Sequence, residues 1–266
     1  MSNDQSRLGR PETFLWQADE GIVTVTLNRP ERLNALARQM QLELARFWAA
    51  LRGEPGLRCV ILTGAGRAFC VGADTADMAA AVRPDSDIGL NALNFCPARS
   101  VDVPVILALN GMCVGGALNF LADADITIAS ADAWLSDYHV TMGQVSGPLV
   151  VQLASKVTFS AVAQLALCGS QYRMSAQRAL AANLVSEVVA AADLMPRATA
   201  VARMIAAQSP AAVRETLRIL RRRAREPVAQ ELTDAWAAVI RQWSHPDAIE
   251  GPRAFAEQRP PRWQVP

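Results

Sequence analysis

The chain has 266 residues, of which 51% are hydrophobic, 6% aromatic and 19% charged. This apolar fraction excludes a disordered chain, and the length is sufficient for one large globular domain with its own core. The 26 basic and 25 acidic side chains leave a net charge of +1, so the overall charge favours neither a nucleic acid nor a membrane surface as a partner.

Cysteine usage and hydropathy bear on the compartment. The five cysteines are scattered, without the spacing of a metal site, which predicts buried free thiols in a reducing compartment and no bound metal. The first residues lack an apolar signal segment, and the longest apolar run, 103–109, is far shorter than a membrane span. We therefore expect a cytoplasmic protein.

Strand and helix patterns alternate in the first half of the chain. Short apolar runs predict strands at 22–27, 59–63, 103–109 and 126–130. The clearest helix lies between the first two strands, with apolar residues three or four positions apart at Leu36, Met40, Leu44, Phe47 and Leu51. Alternation of this kind is typical of a layered α/β core.

Helical patterns dominate after about residue 155, where only 184–189 still has strand character. Ser209 and Pro210 form an N-cap and first-turn pair that opens a helix. Its expected buried stripe is Val213, Leu217 and Leu220. We place the arginines of 218–225 on the opposite, solvated face, because that arrangement is more frequent than a nucleic-acid site.

A second amphipathic helix follows near the C-terminus. Its apolar stripe is Val228, Leu232, Trp236, Val239 and Trp243. Tryptophan is too large to lie comfortably on a wet surface, so we expect this stripe to cover the core or a neighbouring subunit. No linker or repeat divides the chain. The predicted organisation is a disordered tail over 1–13, a core over 14–195, and a helical region over 196–266 that belongs to the same domain.

Two short segments begin like known functional motifs but do not complete them. Residues 63–66 begin like a dinucleotide-binding fingerprint, but the third glycine position is Phe69. Ser146 is followed by glycine but lacks the preceding glycine of a nucleophile elbow, since position 144 is Gln. A serine hydrolase is therefore disfavoured.

Two glycine-containing segments, 68–74 and 110–117, each follow a predicted strand. Glycine lets the backbone approach a ligand closely, and a helix N-terminus offers unpaired N–H groups. Two such N–H groups can form an oxyanion hole. The alternative is that both segments are simply tight turns.

Together these segments resemble the crotonase (enoyl-CoA hydratase/isomerase) superfamily. The resemblance rests on residues 28–36, 68–74, 103–111 and 114–117 and on the C-terminal residues 250–260, which occur in the family's order and spacing. It extends from about residue 14 to Trp263. It implies an α/β fold with a spiral core of ββα units, and a C-terminal helical region that packs in a trimer or a dimer of trimers.

The resemblance also implies acyl-CoA thioester substrates, with coenzyme A as part of the substrate and no separate cofactor. By motif, the oxyanion donors are the backbone N–H groups of Ala73 and Gly116. The CoA-binding positions are Arg29, Arg32, Leu33, Ala35, Cys70, Gly72, Asp74, Thr75 and Arg259, where the arginines would meet the phosphates. Candidates for the acyl pocket are Met78, Leu90, Leu93, Phe95 and Trp134.

The sequence departs from the hydratase branch at both of its glutamates. Asn119 stands three residues after Gly116, where the first glutamate belongs, and His139 stands at the second position. An asparagine amide does not exchange protons at useful pH, whereas imidazole gains and loses a proton near neutrality. We expect His139 to be the acid–base group and Asn119 to position water or substrate. His245 has no such context and is expected at the surface or as a cap.

Other branches fit less well. Dienoyl-CoA isomerases and aryl-CoA dehalogenases use an aspartate a few residues after Gly143, where this chain has glycine and proline. A histidine at position 139 resembles the carbon–carbon bond hydrolases of the superfamily, but their partner aspartate falls on Pro148. Asp137 and Asp123 are the remaining candidates to orient the ring.

Three hypotheses follow. The first is an acyl-CoA lyase or carbon–carbon bond hydrolase in which His139 moves the proton. The second is an enoyl-CoA hydratase or isomerase that uses another acid, such as Asp77. The third is a CoA-thioester-binding protein without catalytic activity.

Overall fold

The computed structural model describes residues 8–74 and 93–263. Ten strands among these described residues form two sheets. The strands are β1 (Phe14–Asp19), β2 (Ile22–Leu27), β3 (Cys59–Gly64), β4 (Ala68–Cys70), β5 (Val105–Leu109), β6 (Met112–Val114), β7 (Ile126–Ser130), β8 (Trp134–Ser136), β9 (Met174–Ser175) and β10 (Glu187–Val189).

The larger sheet has the order β1-β2-β3-β5-β7-β10 and the smaller has the order β4-β6-β8-β9. In the larger sheet β1 is antiparallel to β2, and the other strands are parallel. In the smaller sheet β4, β6 and β8 are parallel, and β9 pairs antiparallel with β8. The carboxyl ends of the parallel strands therefore meet along one edge of each sheet, and the loops that follow them build the site.

Nine α-helices lie among the described residues. They are α1 (Arg38–Leu51), α2 (Leu118–Asp123), α3 (Gly147–Ala154), α4 (Phe159–Leu167), α5 (Ala176–Ala181), α6 (Leu194–Ala206), α7 (Pro210–Arg225), α8 (Ala229–Gln242) and α9 (Asp247–Ala256). Of the helices that the structure describes, none has both the length and the apolar character of a membrane span.

The central strands β3 and β5 of the larger sheet are buried on both faces, which explains their continuous apolar sequences. Val60 and Leu62 of β3 belong to the main core, together with Trp48 of α1. The alternate residue Ile61 faces a second cluster, which contains Ala198 of α6. Successive side chains of a strand point to opposite faces. The one strand β3 therefore supplies apolar side chains to both helices.

The predicted strands at 22–27 and 126–130 are confirmed, and β3 is one residue longer than expected. The strand predicted at 103–109 corresponds to β5, which begins at Val105. The region 184–189 contains a strand only at 187–189. Leu36 lies outside α1, because it forms a parallel bridge with Ala73.

The expected position of the α7 arginines is wrong for two of them. Arg221 binds the Asp125 carboxylate, and Arg225 binds Asp123. Arg221 and Arg225 follow Leu217 at steps of four, so they continue its buried stripe rather than oppose it. Leu220, which we placed in the stripe, is 63% exposed.

Three smaller expectations concern the cysteines, His245 and the N-terminal tail. Four of the five cysteines are buried and all five are free, but Cys168 is exposed. His245 is exposed, and its Nδ1 accepts the backbone N–H of Asp247 in the first turn of α9, as expected for a surface cap. The expected tail over 1–13 is described only from residue 8, where Thr13 binds Glu43 through its N–H and hydroxyl.

Candidate active site

The two glycine segments meet at the end of the smaller sheet. Leu36 donates its N–H to Gly72 O at 2.7 Å and accepts the Asp74 N–H at 3.3 Å. Because these bonds use the residues on either side of Ala73, the Ala73 N–H points away from Leu36. Gly72 has φ +84°, and a Cβ there would lie 2.7 Å from Val114 O and 3.1 Å from Gly116 N. Only glycine allows this approach.

Ala73 and Gly116 consequently lie next to each other. A Cβ on Gly116 would be 3.9 Å from Ala73 N. Cys70, the last residue of β4 before this loop, is fully buried, and burial raises the pKa of its thiol to about 12 although the backbone N–H groups of Gly72 and Leu36 oppose the rise. Cys70 is thus a neutral packing residue beneath the loop.

The segment 28–36 is held against this loop by Asn34. Leu33 and Asn34 both have positive φ, at 51° and 56°, which bends the chain sharply. The buried Asn34 side chain accepts the Arg29 N–H and donates to Ala65 O and Ala68 O. Sequence reasoning included Asn34 in the motif but did not recognise this bracing role.

Arg29 brings three predicted CoA-binding positions together. Its guanidinium donates to Ala35 O at 2.9 Å and to the Asp74 carboxylate at 3.1 Å. Arg32 and Leu33 lie on the adjoining turn, where Arg32 is exposed. Arg29 therefore ties segment 28–36 to the residue that follows Ala73.

Asn119 lies in the first turn of α2. Its Nδ2 donates to Gly116 O at 2.9 Å, which fixes the amide orientation. Its Oδ1 is buried and has no hydrogen-bond partner among the described residues. A buried acceptor without a partner is costly, by about 1 to 3 kcal/mol, so this atom is suited to a donor supplied by water or a ligand.

His139 is oriented by a carboxylate. Its Nδ1 lies 2.5 Å from Asp137 Oδ1, which also accepts the His139 backbone N–H at 3.1 Å. Asp137 is 1% exposed, and burial raises the pKa of its carboxyl, but the hydrogen bonds from His139 and Ser146 outweigh burial and leave that pKa below its ordinary value. Since an ionised carboxylate only accepts, Nδ1 bears the proton and Nε2 of the neutral ring is the basic nitrogen.

His139 and Asn119 line one cavity of about 180 Å³. Leu93, a predicted acyl-pocket residue, lines it too. The remaining lining residues come from the segment after His139, from α3 and from α8 with the residue after it: Gln144, Val145, Ser146, Pro148, Leu149, Trp236, Val239 and Trp243. The cavity has an apolar wall and a small set of polar groups, as small-molecule sites do.

Residues 17–266 match the sequence profile of the family described as Enoyl-CoA hydratase/isomerase. The chain belongs to this family. The similarity extends to a mevalonyl-coenzyme A hydratase of Aspergillus fumigatus, 32% identical over 253 residues and 91% of both chains. A carnitinyl-CoA dehydratase of Escherichia coli K12 is 31% identical over 251 residues, 91% of this chain and 95% of the relative.

Solved structures confirm the crotonase fold. An enoyl-CoA hydratase/isomerase from Pseudoalteromonas atlantica superposes with a TM-score of 0.86 at 25% identity, over 95% of this chain and 100% of its own. One from Mycobacterium paratuberculosis has a TM-score of 0.73 at 36% identity, over 96% and 99%. The protein is thus a member of an enzyme family that processes CoA thioesters, and the named relatives are hydratases and dehydratases.

Three predicted site residues of this crotonase do not line the His139 cavity and have other contacts. Trp134 packs under Arg173, whose guanidinium carbon is 4.6 Å from the ring centroid, and it does not line the His139 cavity. Arg259 is bound by Glu250 and Glu257 near α9. Phe95 packs on Phe120 in the core. Four predicted positions lie outside the described residues: Thr75, Asp77, Met78 and Leu90.

The structure also decides between the two carboxylates considered for orienting His139. Asp123 is buried away from the ring, where it pairs with Arg99 and Arg225 and accepts the Ala98 N–H. That candidate was wrong, and Asp137 holds the ring.

The C-terminal helices press on the segment that bears the dyad of Asp137 and His139. A Cβ on Gly143 would clash with the backbone of Asp247, and a Cβ on Gly251 would clash with the backbone of Met142. Gln242 donates to Gly143 O at 2.9 Å. The glycines therefore allow α9 to lie directly on the turn after His139.

Proposed function

We propose that this protein is a CoA-thioester lyase that adds water to a 2-enoyl-CoA, or removes it from a 3-hydroxyacyl-CoA, with His139 as its single acid–base group. The observation on which this depends is the contact of His139 with the buried Asp137 carboxylate, in a cavity shared with Asn119. The relatives named as hydratase and dehydratase support addition or removal of water as the type of reaction.

In the hydration direction, water lies between two acceptors. It donates one hydrogen bond to His139 Nε2 and one to Asn119 Oδ1, which leaves a lone pair of its oxygen free to attack Cβ of the substrate. The oxygen of water bonds to Cβ of the thioester while its proton passes to Nε2. The electrons of the carbon–carbon double bond move through Cα to the thioester oxygen, which becomes an enolate oxygen.

The enolate oxygen is the charge that the backbone would stabilise. The N–H groups of Ala73 and Gly116 are the proposed donors, and one donor of this kind typically contributes about 3 to 4 kcal/mol to a transition state. The two segments that carry Arg29, Arg32, Leu33, Ala35, Gly72 and Asp74 form the proposed CoA-binding surface, with the buried Cys70 beneath them. Arg29 acts there by holding Asp74, next to Ala73.

The imidazolium then returns its proton to Cα, which collapses the enolate and completes the addition of water. Asp137 stays ionised throughout and stabilises the positive ring, as the aspartate does in a serine protease triad. One base that serves both carbons acts from one face of the substrate, so the proposal implies addition of both hydrogen and hydroxyl on the same face.

Hydrolysis of a carbon–carbon bond in a β-keto thioester is the second candidate. The feature that favours it is the carboxylate-bound histidine, which suits attack of water on a carbonyl without a second acid. Water would bond to the β-carbonyl carbon and give its proton to His139. The Cα–Cβ bond would then break, with its electrons passing to the thioester enolate, and His139 would protonate Cα to give a carboxylic acid and a shorter acyl-CoA.

A substrate panel with point variants tests these proposals. Crotonyl-CoA hydration, 3-hydroxybutyryl-CoA dehydration and acetoacetyl-CoA cleavage are measured for wild type, His139→Gln and Asp77→Asn. We expect turnover of one substrate class, a loss of about 10²- to 10⁴-fold in His139→Gln, and near-normal rates in Asp77→Asn. Crotonyl-CoA hydration that survives His139→Gln but not Asp77→Asn would falsify the first proposal and favour the hydratase with another acid.

Tight acyl-CoA binding without turnover of any thioester would identify a binding protein that has lost its chemistry.

The trimer or dimer of trimers implied by the resemblance is part of the proposal, and light scattering coupled to gel filtration measures it directly.

A further inference from the structure

Ser146 is a buried hydroxyl in contact with the dyad. It stands immediately before α3 and is 8% exposed. Its Oγ donates to Asp137 Oδ2 at 2.5 Å, while Asp137 Oδ1 holds both His139 donors. Each carboxylate oxygen therefore has its own donor, and the plane of the carboxylate is fixed from both sides.

The use of this hydroxyl is unusual for its position. A serine at a helix N-cap ordinarily accepts a backbone N–H from the first turn and stabilises the helix by about 1 kcal/mol. The Ser146 side chain makes no such bond, although Ser209, at the start of α7, does. The hydroxyl of Ser146 is thus directed to Asp137 at the expense of capping α3.

The position of Ser146 is itself fixed by α8. Gly147, the next residue, lies so close to α8 that a Cβ on it would be 3.1 Å from Ala235 O and would clash with Val239. Val239 and Trp236 of α8 also line the cavity of His139. Ser146 therefore joins the closely packed pair of helices α3 and α8 to the Asp137 carboxylate.

We propose that Ser146 is a positioning residue, which fixes the Asp137 carboxylate so that Nε2 of His139 faces the reacting carbons. The inference rests on the proposed function for its effect on rate, but not for its effect on the ring. Ser146 holds no substrate in this proposal and gives up no proton to it.

The kinetic test compares three variants in crotonyl-CoA hydration, or in whichever reaction of the panel the wild type catalyses. Ser146→Ala removes the hydroxyl, and Ser146→Thr retains it. Ser155→Ala is the matched control, because it removes a hydroxyl at the other end of α3 that binds Gln152 O and not Asp137. We expect Ser146→Ala to lower kcat by roughly 10- to 100-fold with little change in KM, as loss of an outer partner of a metal-bound histidine does. Ser146→Thr recovers most of that loss, and Ser155→Ala behaves as wild type.

A spectroscopic test does not depend on turnover. The chain has only two histidines, so in protein labelled with ¹⁵N-histidine the signals of His139 and the exposed His245 are assigned with His245→Gln. In wild type we expect a low-field, strongly hydrogen-bonded Nδ1 proton on His139. It should weaken or disappear in Ser146→Ala, persist in Ser146→Thr and be unchanged in Ser155→Ala.

The two measurements separate the two claims. If no thioester is turned over but the His139 proton responds to Ser146→Ala, the proposed function fails and the positioning role stands. If Ser146→Ala is folded and keeps both the low-field proton and a kcat within twofold of wild type, the inference is wrong. If Ser146→Ala does not fold, a normal Nδ1 signal and rate in Ser146→Thr support the hydroxyl, and loss of both in Ser146→Thr overturns it.

Discussion

Asp137→Asn removes the charge of the dyad and keeps the size of the side chain. Asp137 now accepts from His139 Nδ1 through one oxygen and from Ser146 Oγ through the other, both at 2.5 Å. An amide has only one accepting oxygen, so one of these donors loses its acceptor. Where the amide NH₂ faces Nδ1, the ring takes its proton on Nε2 and is no longer a base toward the cavity.

The magnitude follows from these contacts. A hydrogen bond to a charged group contributes about 1.5 to 3 kcal/mol, which is roughly 10- to 160-fold in rate. The wrong tautomer adds to this loss, and the equivalent change in a serine protease triad lowers kcat by about 10⁴. We therefore expect kcat of Asp137→Asn to fall by about 10²- to 10⁴-fold, with a smaller effect on KM.

The assay is steady-state turnover of the panel substrate, with Asp132→Asn as the control. Asp132 is an exposed aspartate in the turn before β8, and its substitution leaves the dyad untouched. A kcat for Asp137→Asn within threefold of wild type would refute the role of the carboxylate, whatever the effect of His139→Gln.

Asp137→Asn should also change how the free energy of unfolding depends on pH. The pKa of Asp137 lies below its ordinary value of 3.8 in the folded protein. Its stabilising contribution is thus fully present above the unfolded pKa and is lost as the pH falls through the lowered folded pKa. In urea unfolding, the free-energy difference between wild type and Asp137→Asn should be largest near neutral pH and shrink below about pH 4. A difference that grows on acidification would contradict the reasoning.

Three further predictions concern the surroundings of the site. Gly251→Ala should destabilise the protein by about 1 to 2 kcal/mol in thermal unfolding, because its clash with the Met142 backbone outweighs the helix preference for alanine. A thiol reagent should label one cysteine, Cys168, in the native chain and all five after unfolding, because burial raises the pKa of the other thiols. Arg29→Ala should raise KM for acyl-CoA several-fold and lower kcat by releasing Asp74, whereas an unchanged KM would exclude this loop from CoA binding.

The family pattern and the apolar periodicity predict two site positions and part of the larger sheet. The motif spacing places Asn119 and His139 where the hydratase branch has its two glutamates, and the structure brings both residues to one cavity. Strand periods locate β2 and β7 to the residue. These features are local or depend on spacing alone, so the sequence contains them directly.

The choice of Asp137 over Asp123 depends on a turn that spacing does not reveal. In a continued strand, residues two apart would lie side by side on one face, without a bond between them. Here the chain leaves β8 after Ser136, and the Asp137 carboxylate reaches forward to the His139 N–H in an Asx-type turn. The signal was present as an aspartate two residues before a histidine, at the end of a short strand.

The apolar stripe of α8 shows what periodicity does not predict. Of this stripe Leu232 is buried, whereas Trp236 and Trp243 are half-buried, and periodicity does not name the surface that they contact. Trp236 and Trp243 pack edge to face, with centroids 5.9 Å apart, and line the cavity of His139. The partner is set by the packing of α8 on α3, which requires Gly147 and so depends on contacts almost 90 residues apart in the chain.

The C-terminal helices are consequently part of the site and not an appendage to it. Their side chains close the cavity, and Gln242 and α9 hold the turn that follows His139. The loop that carries Ala73, one of the proposed oxyanion donors, is held separately, by Asn34 and Arg29 at the other end of the chain. Substitutions in α8 or α9 should therefore act on the proton-transfer step and leave thioester binding largely intact, whereas substitutions at Asn34 or Arg29 should act on binding and on the enolate together.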